Sequence, residues 1–145
     1  MNALQRYEYV TLRLIRRFVF TERLANRLAG WLPYYAPSVG ENDPARIVAD
    51  YVRALAAANV VLAGQRTLEV GAGRSNGVGY GLIAAGATSA CLLEPFVAFD
   101  AARDAALRES SPAFAAVDPR KLRRVRDFSQ IADASIDLIL SNSVL

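Results

Sequence analysis

The sequence predicts an α/β domain built on a parallel sheet with helices on both faces. Three observations carry that prediction. Amphipathic 3.6-residue periodicity dominates before Gly64, and short apolar runs replace it afterwards. Those runs alternate with helix-length segments, a spacing that implies right-handed crossovers between parallel strands. The first run leads directly into a glycine-rich stretch, residues 67–82.

Residues 4–29 read as helix. Leu4, Tyr7, Val10, Leu14, Ile15, Phe18, Ala25 and Leu28 share one face, and Arg6, Arg13, Arg16, Arg17, Arg23 and Arg27 share the other. Thr21 suits the start of a second short helix, and Gly30 a stop. Residues 31–44 hold three prolines and three aromatics and read as a connector. Asn42 or Asp43 can cap the next helix, with Pro44 in its first turn. Its apolar stripe is Ile47, Val48, Tyr51, Val52 and Leu55.

A buried strand is expected at 66–70, then the glycine loop, then a helix from about Gly77 to Ala85 stopped by Gly86. A second strand covers 89–94 and ends at Pro95. A helix over 97–110 is closed by Ser111-Pro112. A weaker strand lies near 123–126 and another over 135–143. Residues 1–40 thus form a basic amphipathic segment with its connector, and 41–145 an incomplete sheet domain of about four strands.

Composition narrows the chemistry. The chain has 145 residues, 53% hydrophobic and 21% charged, in the range of one globular domain. It has no histidine, which excludes a histidine acid–base relay, a Ser-His-Asp triad and a histidine metal site within the chain. Its single cysteine, Cys91, allows no internal disulfide and reads as a small core residue. Neither a run of about 18 uncharged apolar residues nor a secretory signal is present, so the expected location is cytoplasmic. The net charge of +3 comes from residues 1–30 and from the run 120–126, five basic residues in seven. That run lacks interleaved aromatics and reads as solvated surface, so a nucleic-acid partner is not expected.

The chemistry concentrates around the glycines. Gly71, Gly73 and Gly77 are spaced G-x-G-x-x-x-G behind the first strand. Glycine permits positive φ, and its missing Cβ lets a ligand touch backbone. The helix N-terminus beyond attracts an anion, phosphate or carboxylate alike. The spacing departs from the dinucleotide fingerprint G-x-G-x-x-G, because Asn76 stands at the third glycine. A purely structural strand-to-helix turn is the bland alternative. Two acids argue against it. Glu69 lies two residues before Gly71, where a carboxylate repels pyrophosphate and welcomes a cation. Glu94 ends the second strand, where an acid can accept both hydroxyls of a ribose.

The stretch LEVGAGRSNG, followed by LLEP, resembles the cofactor-binding half of the class I, Rossmann-like S-adenosylmethionine-dependent methyltransferases. Their first motif reads acid-x-Gly-x-Gly-x-Gly. Glu69, Gly71 and Gly73 match it, whereas Ser75 stands at the third glycine and Gly77 comes two later. Glu94, followed by Pro95, matches the family's ribose-binding acid. Asp127-Phe128 resembles the pair that faces the adenine, and IDLILSNSVL, with Ser141, the fourth-strand motif beside the methyl group. The resemblance covers about 42–145. It implies S-adenosyl-L-methionine as cofactor. Glu69 and Gly71 would hold its amino-acid end, Glu94 its ribose and Asp127 its adenine amino group, with Ala72, Gly73, Gly77, Pro95, Phe128 and Ser141 also among the cofactor-binding residues. Arg74 would pair with its carboxylate or else form an exposed salt bridge.

The expected activity is methyl transfer to a small molecule or a lipid- or sugar-linked group, with no catalytic residue assignable. A nicotinamide-dependent oxidoreductase and a non-catalytic adenosyl-binding module are the competing expectations. The family's strand order, 3-2-1-4-5-7-6, would be represented here by 3-2-1-4, so the natural sequence is expected to continue past Leu145. The helix over 4–29 either touches an anionic membrane peripherally or packs its apolar face on the domain.

Overall fold

A computed structural model describes residues 43–142 of the chain. The helix expected over 4–29, the connector as far as residue 42, and residues 143–145, of which 143 ends the expected fourth strand, lie outside the described residues. Within them, four parallel strands form one sheet in the order β3-β2-β1-β4. The strands are β1 (Arg66–Val70), β2 (Ser89–Leu93), β3 (Leu122–Val125) and β4 (Leu138–Leu140). The helices are α1 (Pro44–Ala57), α2 (Gly77–Ala84), α3 (Ala101–Glu109) and α4 (Pro112–Ala115), with 3-10 turns at Pro119–Lys121 and Phe128–Gln130.

Local chemistry explains each boundary. Asp43 caps α1, its carboxylate accepting the Ala45 N–H at 3.0 Å, and Pro44 occupies a first-turn position that needs no N–H. Helix α2 ends before Gly86, whose φ of 108° few other residues adopt. Helix α3 begins at Ala101, later than the expected residue 97. The cause is Glu94: its Oε1 accepts the N–H groups of Phe96 and Val97 at 3.0 Å each and holds that stretch in a turn. Asp100 then caps α3 by accepting the Arg103 N–H. Pro112 opens α4 instead of only closing α3. Strand β4 is shorter than 135–143 because Asp137 turns aside to Arg66, taking its backbone N–H at 2.9 Å and its guanidinium at 2.6 and 2.8 Å.

Strand register sorts the sheet into two faces. Thr67 pairs with Ala90 and Leu138, Glu69 with Leu92 and Leu140, and Leu92 with Arg124. These positions share the face on which α2 packs, and α1, α3 and α4 pack around α2. Val48, Tyr51, Leu62, Val78, Leu82 and Leu140 form the core there, with Leu82 fully buried. On the opposite face Leu68, Cys91, Leu93 and Val125 cluster under Ile131 and Ile136 from the segment between β3 and β4. Cys91 is a buried free thiol in that cluster, and burial pushes its pKa up, as expected of a core residue. No described helix is long and apolar enough to cross a membrane.

Candidate functional site

The carboxyl ends of β1 and β2 converge on the glycine loop. Gly71 leaves β1 with φ 86° and donates its N–H to the Leu93 carbonyl at 2.9 Å. Gly73 follows with φ 68°, and a Cβ built there would meet nothing within 4 Å. This is the bare, open backbone the spacing implied. Ala72 lies between them, half-buried, its N–H also directed at Leu93.

Three charged side chains hold this loop from outside it. Glu94 Oε2 accepts the Gly73 N–H at 2.8 Å. With Phe96 and Val97 on Oε1, its carboxylate is held by three backbone N–H groups. Arg124, on β3, donates to the carbonyls of Gly73 and Ser75 and to Asn76 Oδ1, and its guanidinium lies 5.2 Å from the Phe99 ring centroid. Burial lowers the Arg124 pKa, while the carboxylates of Glu94, Asp104 and Glu69 oppose that shift. Asp104, buried on α3, accepts the Asn76 N–H at 2.6 Å, the Tyr80 hydroxyl at 2.7 Å and the Asn76 side-chain amide at 3.2 Å. Burial and then the bond to Asp104 push the Tyr80 hydroxyl up, which keeps it a donor.

Glu69 is the site's most unusual group. Only 2% of it is exposed. Its Oε1 receives the Tyr51 hydroxyl at 3.4 Å. Its Oε2 has no hydrogen-bond partner among the described residues. Burial pushes the carboxyl up to about 8; Glu94 adds to the shift, and the Tyr51 bond and the Arg124 charge oppose it. Tyr51 is itself pushed upward, by burial first and by Glu69 second, so it remains protonated and donating.

The other expected site residues are placed differently. Gly77 is buried, and a Cβ there would come 2.5 Å from both Pro44 Cγ and Leu107 Cδ2. Its bare backbone therefore serves helix packing. Arg74 is exposed, with its carbonyl accepting the Asp100 N–H. Pro95 is exposed beside Glu94. Asp127 is exposed and accepts the Ser129 N–H at 2.7 Å, which holds its carboxyl below the usual range. Phe128 next to it is 62% exposed. The Ser141 hydroxyl, just past β4, donates to the Val70 carbonyl at 3.3 Å. Among the described residues no cluster of acids or thiols could hold a metal ion.

Tyr51, Asp104 and Arg124 carry roles that the sequence alone did not assign. Arg124 sits inside the basic run read as solvated surface. A signal was present: alternation places it on the same face as Leu122, which is half-buried. For Asp104, asparagine substitution is expected to destabilise the domain by about 2 kcal/mol, because one of its oxygens becomes a donor facing other donors. Urea unfolding of Asp104→Asn at neutral pH measures it; an unchanged midpoint would show that the loop does not depend on this acid.

Comparisons with protein-family models, curated proteins and solved structures returned no match. The fold itself, a four-stranded parallel α/β sheet in the order β3-β2-β1-β4, is compatible with a Rossmann-like domain.

Proposed function

We propose that the site binds S-adenosyl-L-methionine and serves methyl transfer to a small molecule or a lipid- or sugar-linked acceptor. The observation that carries this reading is the unpaired, buried Glu69 oxygen beside an open glycine turn. A buried acid in that position favours a ligand that brings a cationic amino group, and it opposes a pyrophosphate. The residues fit such a ligand elsewhere too. Glu94 is fixed by backbone N–H groups yet retains acceptor capacity for hydroxyls. The exposed Asp127-Phe128 pair offers an acceptor and an apolar surface suited to a nucleobase. When bound, the cofactor supplies an electrophilic methyl group on sulfur. The protein's part is then to orient the two reactants and exclude water.

Calorimetry tests the assignment. Gly71→Val forces a β-branched residue to φ 86°, and Glu94→Ala frees the Gly73 N–H. Each is expected to weaken S-adenosylmethionine binding at least tenfold, about 1.4 kcal/mol. Parental affinity in both variants would overturn the assignment. A nicotinamide oxidoreductase would instead be stabilised thermally by NAD or NADP. A non-catalytic module would bind the cofactor without turnover.

A further inference from the structure

We propose that Tyr51 is a positioning residue for ligand binding: by holding Oε1 of Glu69 it leaves Oε2 as the acceptor for the ligand's ammonium group, directly or through one water. The inference rests on the cofactor reading above and assigns a role outside the glycine loop and the two strand-end acids.

The geometry carries the argument. Tyr51 projects from α1, 18 positions before Glu69, and its hydroxyl is the donor that Glu69 has among the described residues. Both side chains are buried in the layer between α1 and the sheet. A phenol there donates one hydrogen bond and carries no charge, so it orients the carboxyl without cancelling it. An arginine or lysine in its place would pair with the acid and remove the attraction for a cationic ligand. The remaining titratable and charged groups that act on Glu69 come from the same side of the sheet order: Glu94 after the adjacent β2 and Arg124 on β3 beyond it, with opposite effects. From β4, Leu140 pairs with Glu69, and the nearest acid, Asp137, is bound to Arg66 near the start of β1. Helix α2 contributes Val78 and Leu82 to the same core and no charged side chain.

A linked pH dependence follows. The ligand-free acid holds its proton up to about pH 8. An ammonium ligand requires the carboxylate. Affinity should therefore rise roughly tenfold per pH unit as pH climbs toward 8, and then level off. Removing the Tyr51 hydroxyl withdraws a bond that favours the carboxylate, so the rising limb should move to higher pH.

The test is equilibrium binding of S-adenosylhomocysteine and of adenosine, which lacks the amino-acid end, to the full chain between pH 6 and 8.5. Tyr51→Phe, which keeps the ring, is expected to weaken S-adenosylhomocysteine roughly fivefold at pH 7 and to leave adenosine unchanged. Glu69→Gln is expected to flatten the limb. If the parent binds S-adenosylhomocysteine and the Tyr51→Phe limb superimposes on the parent's, Tyr51 has no positioning role. Equal loss of both ligands would mean a general packing defect and would also overturn it. If the parent binds neither ligand, the cofactor reading fails and this proposal with it.

Discussion

Glutamine in place of Glu69 is expected to stabilise the ligand-free domain at pH 8 by about 3 kcal/mol while weakening its affinity for S-adenosylmethionine. The sign follows from the proton balance. Glu69 ionises near 8 in the fold against an ordinary 4.5. Between those values the folded state keeps a proton that the unfolded chain has released. Stability from this group is complete below pH 4.5 and falls as pH rises through about 8. The fall is at most about 1.4 kcal/mol per pH unit, and local relaxation reduces the total. A neutral amide removes the slope. The difference between the two proteins should thus be small at pH 5 and grow steadily to pH 8. Urea unfolding across that range measures it. The chain has no histidine, so no imidazole titration overlaps the window. Parallel stability curves would mean that Glu69 ionises normally and that its burial does not strain the fold. A group that destabilises the empty domain and lies two residues before a glycine turn is the pattern expected of a binding residue.

The legible part of this protein was the part encoded locally. Apolar runs bounded by glycine and proline located β1 and β2 to within one residue, and Asp43-Pro44 located the start of α1. The positions of the loop glycines and of the two acids in the fold were also legible, since Glu69 falls in the last two residues of β1 and Gly71 and Glu94 directly follow β1 and β2. What stayed hidden depends on partners distant in sequence. The late start of α3 comes from a side chain, Glu94, competing for backbone N–H groups. Asp104 reaches back 28 residues to Asn76, and Arg124 reaches back 51 to Gly73. A lone Asp in a helix or Arg in a basic run is ambiguous until strand register decides which side of the sheet it occupies.

Gly77 separates the two kinds of legibility, and substitution there is expected to damage the fold more than the binding surface. By spacing it looks like a ligand glycine. In the structure an added Cβ would stand 2.5 Å from Pro44 Cγ, 3.0 Å from Pro44 Cβ and 2.5 Å from Leu107 Cδ2. The leucine tip can rotate away. The proline ring cannot, because it is the first residue of α1 and Asp43 fixes the turn before it. Relief requires α1 to move off α2, which disturbs the Val48, Tyr51 and Leu82 core. Gly77→Val should therefore lower stability by about 3 kcal/mol, a fall in melting temperature of roughly 10 °C or more. Gly73→Ala is the contrasting case: the space is open and only the φ of 68° resists, at a cost of about 1 kcal/mol. A displaced α1 also carries Tyr51 away from Glu69, so residual binding by Gly77→Val should show the Tyr51→Phe pH profile. Retention of full stability in Gly77→Val would mean that the α1–α2 contact is looser than the close Pro44 approach implies, and that Gly77 is there for a ligand after all.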